Sequence, residues 1–201
     1  MTWRFGSPVA PLRALLDRGG VLAIPTESSY GLAADPRNPE GIALVYRLKG
    51  RDAGKALPLV AADLDQIVAL GVDPAGPELA LAARAWPGPL TVVLPVAGEL
   101  PAAGGGATIA VRIPAHAGLR GLLAELGRPL TATSANRSGE QPVLDPDAAA
   151  RLLAGEDAEV VDGGRLSGGP PSTIVRWRGG RLEVLREGAV AAVEARRLLT
   201  E

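Results

Sequence analysis

The sequence predicts an α/β fold in a single domain, residues 1–201, with a mixed, twisted sheet flanked by helices. Three observations predict it. Short continuous apolar runs, such as VLAIP (21–25), PLTVVLPV (89–96) and PLTATS (129–134), suit strands buried on both faces. Other stretches carry apolar residues at helical spacing, with Pro or a short polar residue at the start and Gly at the end. The two kinds of segment alternate along the chain, and no internal repeat, linker or low-complexity tract divides them.

Each element follows from local chemistry. Ser7-Pro8 starts a helix and Gly19-Gly20 stops it, which predicts a helix over 8–18. The strand 21–25 runs into the loop TESSYG, and EGIALVYRL predicts a helix over 40–48. A polar turn then leads into a strand at 57–61, and helices are expected at 64–70 and 77–85. Strands at 89–96 and 108–113 flank the AAGGGA connection, and AGLRGLLAELG predicts a helix over 117–126. The strand 129–134 ends in the polar elbow SANRSG. A helix at 147–154, a strand at 159–162 and a loose loop at 163–171 follow. STIVRW and RLEVLR form a hairpin across Gly179-Gly180, and a helix over 190–199 closes the chain.

Composition excludes several functions. Hydrophobic residues make up 47% of the chain but aromatics only 3%, so aliphatic side chains fill the core. Without cysteine there are no disulfides, thiolate metal sites or cysteine nucleophiles, and the single histidine, His116, makes a histidine metal cluster impossible. A net charge of −1 argues against a general nucleic-acid coat, which is usually strongly basic, though a local basic patch remains compatible with it. Residues 1–20 lack the apolar core of a signal peptide, and no run reaches the ~20 residues that span a bilayer; a cytoplasmic location with no membrane partner is expected.

Against that near-neutral background, YRLKGRDAGKALPLV places Arg47, Lys49, Arg51 and Lys55 within nine residues. Gly50 and Gly54 let the backbone bend close to a ligand, and a phosphate or polyphosphate is the simplest ligand for such charges. A solvated basic loop is the competing explanation. GRDAGKA is one residue short of the P-loop spacing, and Ala56 stands where that loop needs a magnesium-binding hydroxyl, which argues against a P-loop NTPase. There is no G-x-S-x-G elbow for a serine hydrolase and no G-x-G-x-x-G opening a helix. Polar residues also gather where strands run out: Thr26, Glu27, Ser28 and Tyr30 after one, Ser134 and Asn136 after another. Ligands of open α/β sheets bind at strand ends, although the same residue types also cap helices and close turns. In TIAVRI, period-two alternation puts Thr108, Ala110 and Arg112 on one face and Ile109, Val111 and Ile113 on the other. The apolar set must face packed core, so Thr108 and Arg112 should face a cavity, and Arg112 needs a partner there.

Seven ordered blocks, PTESSYGLAAD, KGRDAGKALPLV, WPGPLTVVL, AVRIP, TSANRSG, PSTIV and LREGA, resemble the YrdC/TsaC family, the L-threonylcarbamoyladenylate synthases, over about residues 10–190. The resemblance implies a YrdC-like domain with a large concave cavity, and the chain ends before the additional C-terminal domain of longer members. It implies condensation of L-threonine, bicarbonate and ATP to threonylcarbamoyl-AMP and pyrophosphate, a nucleotidyltransferase reaction. Mg²⁺ would be bound through the phosphates, and other proteins would transfer the threonylcarbamoyl group to tRNA. Carried over by position, Thr26, Tyr30, Arg112, Ser134 and Thr173 would form the threonine pocket. Lys49, Arg51 and Lys55 would carry the catalytic charge on the ATP phosphates, with Thr108, Asn136 and Arg186 as further nucleotide contacts. The chain departs from the family pattern at Ser28, Ala33, Pro171 and Glu187, and Glu187 could pair with Arg186 and weaken its hold on a nucleotide. Two alternatives stay open: a YrdC-like paralogue that binds double-stranded RNA without synthase activity, and a carbamoyl-transfer domain like that of hydrogenase-maturation proteins.

Overall fold

A computed structural model describes residues 3–52 and 54–200. The elements in chain order are β1 (Trp3–Arg4), α1 (Ala10–Asp17), β2 (Val21–Pro25), β3 (Tyr30–Ala33), α2 (Pro39–Lys49), β4 (Leu59–Val60), α3 (Leu64–Val68) and α4 (Pro77–Ala83). There follow β5 (Leu90–Pro95), β6 (Thr108–Arg112), α5 (Ala117–Leu126), β7 (Leu130–Thr131), β8 (Thr133–Ser134), α6 (Pro146–Leu152), β9 (Ala158–Asp162), β10 (Thr173–Arg178), β11 (Arg181–Arg186) and α7 (Ala192–Thr200). A single 3-10 turn, Pro101–Ala103, opens the AAGGGA connection.

The α/β class and the mixed strand directions are as the sequence predicts, but the strands divide into two sheets rather than one. The order is β1-β9-β2-β3-β8 in the first and β11-β10-β5-β6-β4-β7 in the second. Both mix parallel and antiparallel neighbours: β2 lies parallel to β9 and antiparallel to β3, and β4 lies parallel to β6 and antiparallel to β7. The division happens inside the expected strand 129–134. Leu130 and Thr131 pair with β4 in the second sheet, whereas Thr133 pairs with Leu32 of β3 in the first. Thr131, fully buried, stitches the corner: its hydroxyl donates to Leu32 O at 3.2 Å and accepts from Ala34 N at 2.9 Å. No apolar pattern announces this, because the side chains keep alternating while the backbone changes partner.

β3 has no counterpart among the expected strands. YGLA is short and buried on both faces, so it shows no alternation, and its turn (Thr26–Ser29) carries no Asn-Gly or Asp-Gly signal. Helix α2 is better marked. Asn38 accepts from Glu40 N and Gly41 N, Pro39 opens the first turn, and Gly50 closes it in the left-handed region at φ 56°. This cap fixes where the helix stops, and so sets Lys49 as its final residue. The core is aliphatic; Leu16, Leu22, Ile24, Leu32, Leu90, Leu94 and Ile109 are among its largest fully buried side chains. Among the described residues no helix is long and apolar enough to cross a membrane.

Candidate active site

The two sheets diverge around a cleft of about 610 Å³. Gly31, Thr133 and Ser134 of the first sheet and Leu59, Val60, Ala110, Arg112 and Ile174 of the second line its walls. The turn after β2 (Thr26, Ser28, Ser29), the basic turn (Arg51, Ala56) and the segment 168–172 form its rim. The register brings the chemistry together: Val60, the exit from the basic turn, lies beside Arg112, and Gly31 lies beside Ser134.

Four cations, Lys49, Arg51, Arg112 and Arg186, reach this cleft from different elements. Lys49 is only 5% exposed, and among the described residues no carboxylate forms an ion pair with it. Its ammonium donates to Ser134 O at 2.5 Å, Asn136 Oδ1 at 3.1 Å and Asn136 O at 3.2 Å. Burial, aided by the Arg51 charge, lowers its pKa from 10.5 to about 8. A polyphosphate arriving beside it would supply the missing negative charge. Arg186 donates to Ser172 O at 2.7 and 3.2 Å, and burial followed by the nearby Arg112 charge lowers its pKa. It is held by this carbonyl, and no ion pair with Glu187 forms among the described residues.

Arg112, 9% exposed, meets Glu27: Nη1 and Oε2 stand 2.9 Å apart. Burial alone would raise the Glu27 carboxyl, but the Arg112 charge and the hydrogen bond from Ala115 N outweigh it and hold it below its ordinary value. Thr26 lines the cleft, but its hydroxyl is engaged in its own turn, donating to Ser29 O at 2.7 Å. Ser134 donates to Asn136 Oδ1 at 2.6 Å.

Other expected site residues stand behind or beyond the cleft wall. Asn136 braces Lys49 and anchors itself to Arg137 O and Glu140 O at 2.9 and 2.8 Å. Tyr30 is fully buried; its hydroxyl donates to Gly164 O at 2.8 Å and accepts from Gly163 N at 3.1 Å, fastening the start of the 163–171 segment. Thr173 is fully buried too, its hydroxyl donating to Val190 O at 2.5 Å and accepting from Gly188 N and Val190 N. Thr108 has the parity of Arg112 but sits exposed at the start of β6. Lys55 is exposed, 3.3 Å from Asp52, in a turn whose Ala53 lies outside the described residues. His116 caps α5, its Nδ1 accepting from Leu119 N at 3.0 Å, which is a structural use of the lone histidine.

The motif reading did not single out Ser172 or Thr91. Their hydroxyls stand 2.7 Å apart in the cleft wall. Alternation along β10 could have found Ser172, since Val175 shares the parity of Thr173 and must face core, which leaves Ser172 and Ile174 on the open side.

Gly188 makes this corner possible. A methyl group there would stand 2.0 Å from Pro171 O and 2.8 Å from the Ser172 carbonyl carbon. Gly188→Ala is therefore expected to push residues 171–172 away, cost about 1–3 kcal/mol of stability as an overpacked site, and displace the carbonyl that holds Arg186. Thermal melting together with nucleotide titration checks both effects; unchanged values for both would mean the corner yields without cost.

Comparison with known proteins agrees with this architecture. The family model described as telomere recombination, Sua5/YciO/YrdC, matches residues 14–188. A threonylcarbamoyl-AMP synthase of Thiobacillus denitrificans is 41% identical over 175 residues, covering 85% of this chain and 92% of that relative. One of Alkalilimnicola ehrlichii is 41% identical over 151 residues, 74% of this chain and 78% of the relative. Among solved structures, P. abyssi Sua5 in complex with L-threonine superposes with a TM-score of 0.86 at 30% identity. The superposition covers all of this chain and 61% of the Sua5 chain, so this chain spans about three fifths of that protein's length. The match of sequence and fold shows that the chain belongs to the Sua5/YciO/YrdC family.

Proposed function

We propose that this protein is a threonylcarbamoyl-AMP synthase, a nucleotidyltransferase that condenses L-threonine, bicarbonate and ATP and releases pyrophosphate. The observation that carries the reading is the convergence of Lys49, Arg51, Arg112 and Arg186 on one cleft that also presents Ser and Thr hydroxyls. The two relatives at 41% identity bear the synthase name, and the Sua5 structure holds L-threonine.

The chemistry asks little of a protein nucleophile. The threonine amine and bicarbonate form a carbamate with loss of water, and a carbamate oxygen attacks the α-phosphorus of ATP while the bond to pyrophosphate breaks. The protein's task is to align the two reactants and neutralise the departing charge. Lys49, Arg51 and Arg186 suit the phosphates. Arg112 suits the threonine carboxylate, with Thr26 and Ser134 beside it. Asn136, Tyr30 and Thr173 act from behind by fixing Lys49, the 163–171 segment and the Arg186 corner. Thr108 and Lys55 would contribute only to the outer part of a nucleotide, and Lys55 would first have to leave Asp52. Mg²⁺ would enter on the ATP phosphates as part of the substrate.

The test supplies ATP and bicarbonate with each amino acid in turn and measures pyrophosphate and the acyl-adenylate. Threonine should turn over best, serine should be its best substitute and valine should be poor, because a site that hydrogen-bonds a substrate hydroxyl rejects the isostere lacking it. Equal turnover of valine and threonine would count decisively against the reading.

The depressed pKa of Lys49 predicts a pH dependence. The amine is charged below about 8 and neutral above it. Bound phosphates favour the charged form, so ATP binding should take up a proton near pH 8 and weaken as pH rises further. Calorimetry in buffers of different ionisation enthalpy reads the uptake directly; affinity constant from pH 7 to 9.5 without proton uptake would exclude Lys49 from the phosphate site.

A further inference from the structure

We infer that Glu27 is a positioning residue for Arg112, clamping the guanidinium across the two sheets so that it presents to a substrate carboxylate in one orientation; the inference rests on the synthase reading above. Glu27 sits in the turn after β2 of the first sheet, and Arg112 ends β6 of the second. Their contact at 2.9 Å thus bridges the two sheets, beside a cleft that Arg112 lines. Glu27 Oε2 and Arg112 Nη1 are buried and, among the described residues, neither makes a hydrogen bond, so the ion pair is the contact that compensates them. The second oxygen, Oε1, accepts from Ala115 N at 2.6 Å and His116 N at 3.3 Å, so the carboxylate also ties down the turn that follows β6.

This geometry divides the work of one guanidinium. A buried Nη1 committed to Glu27 leaves the remaining donors of the fork for a single carboxylate in the cleft. It also places a negative charge beside Arg112, whose own charge already disfavours protonation of Arg186. Without Glu27, the buried Nη1 has no partner, and the guanidinium is free to turn toward solvent or phosphate. Selectivity follows as well: an amino acid with a second carboxylate would meet Glu27, not a free cation.

The test compares Glu27→Gln, Glu27→Asp and Arg112→Lys, singly and with the double variant Glu27→Gln/Arg112→Lys. Glu27→Gln keeps the size and the acceptor for Ala115 N but removes the charge. It should raise the threonine KM roughly tenfold, because the buried guanidinium loses the ion-pair partner that orients it, while kcat at saturating threonine and ATP binding without threonine change little. Glu27→Asp should recover part of that loss. The double variant should be scarcely worse than Arg112→Lys alone, because both changes remove the same orientation. An unchanged threonine KM in Glu27→Gln, or effects that multiply independently, would overturn the proposal. A wild-type chain without threonine-dependent pyrophosphate release would defeat the synthase reading instead. The clamp is then read from the Glu27 carboxyl titration by NMR, which must move upward in Arg112→Gln, where the neighbouring charge is removed, if the two groups are coupled and stay in place if they are not.

Discussion

Lys49→Ala is expected to lower ATP affinity by roughly 10- to 100-fold, the loss associated with one charged hydrogen bond, and to destabilise the fold at the same time. The double effect follows from its position. As the last residue of α2, Lys49 reaches inward and supplies donors to Ser134 O, Asn136 O and Asn136 Oδ1. Truncation leaves those oxygens without a cation in a nearly buried place, at a cost of about 1–3 kcal/mol for a group left unsatisfied. Arg51→Ala, by contrast, removes a partly exposed cleft cation whose side-chain hydrogen bond among the described residues is a long one to Ala56 O at 3.4 Å, so binding should suffer and melting should not. Calorimetric ATP titration and thermal melting of both variants check the contrast. Normal ATP affinity in Lys49→Ala would remove the residue from the phosphate site and leave it a purely structural role.

Arg112→Lys should raise the apparent threonine constant by roughly tenfold or more, with ATP binding in the absence of threonine nearly unchanged. Lysine keeps the charge, but it cannot meet Glu27 with one nitrogen and a substrate carboxylate with others in a fixed plane. The ammonium would be drawn to Glu27, which lies 2.9 Å from the present Nη1, and would be lost to the substrate. Steady-state kinetics varying threonine at saturating ATP gives the split between KM and kcat. A fall in kcat with an unchanged threonine KM would place Arg112 on the reacting phosphates instead of the amino acid.

The α/β class, most of the helices and the long strands were legible because burial on one face or two leaves a period in the chain. Alternation in TIAVRI put Thr108, Ala110 and Arg112 on one face; Ala110 and Arg112 line the cleft while Thr108 lies exposed outside its lining, and Ile109 and Val111 are buried. The concentration of charge from Arg47 to Lys55 was plain against a net charge of −1. What stayed hidden is the separate fate of similar residues. Lys49 and Lys55 belong to one turn and one motif, yet the first is buried against residues 134–136 and the second lies in solvent with Asp52. The cap at Gly50 ends α2 with Lys49 still on its inner face, and only contact with a segment some 85 residues away decides that this face is covered.

Hydroxyl groups show the same limit. Thr173 and Ser172 are neighbours able to make the same bonds, but the threonine closes the 188–190 turn and the serine faces the cleft. Ser and Thr serve equally well as turn closers and as ligand contacts, so residue type alone does not choose between them. The split of 130–134 between two sheets, and the Glu27–Arg112 contact across them, depend on pairings between distant strands that leave no local period. The sequence by itself thus determined the kind of elements and the stock of charge, since both are set by near neighbours. The tertiary structure alone decided which cations and hydroxyls face the cleft, because burial and hydrogen-bond partnership are properties of segments that meet only after folding.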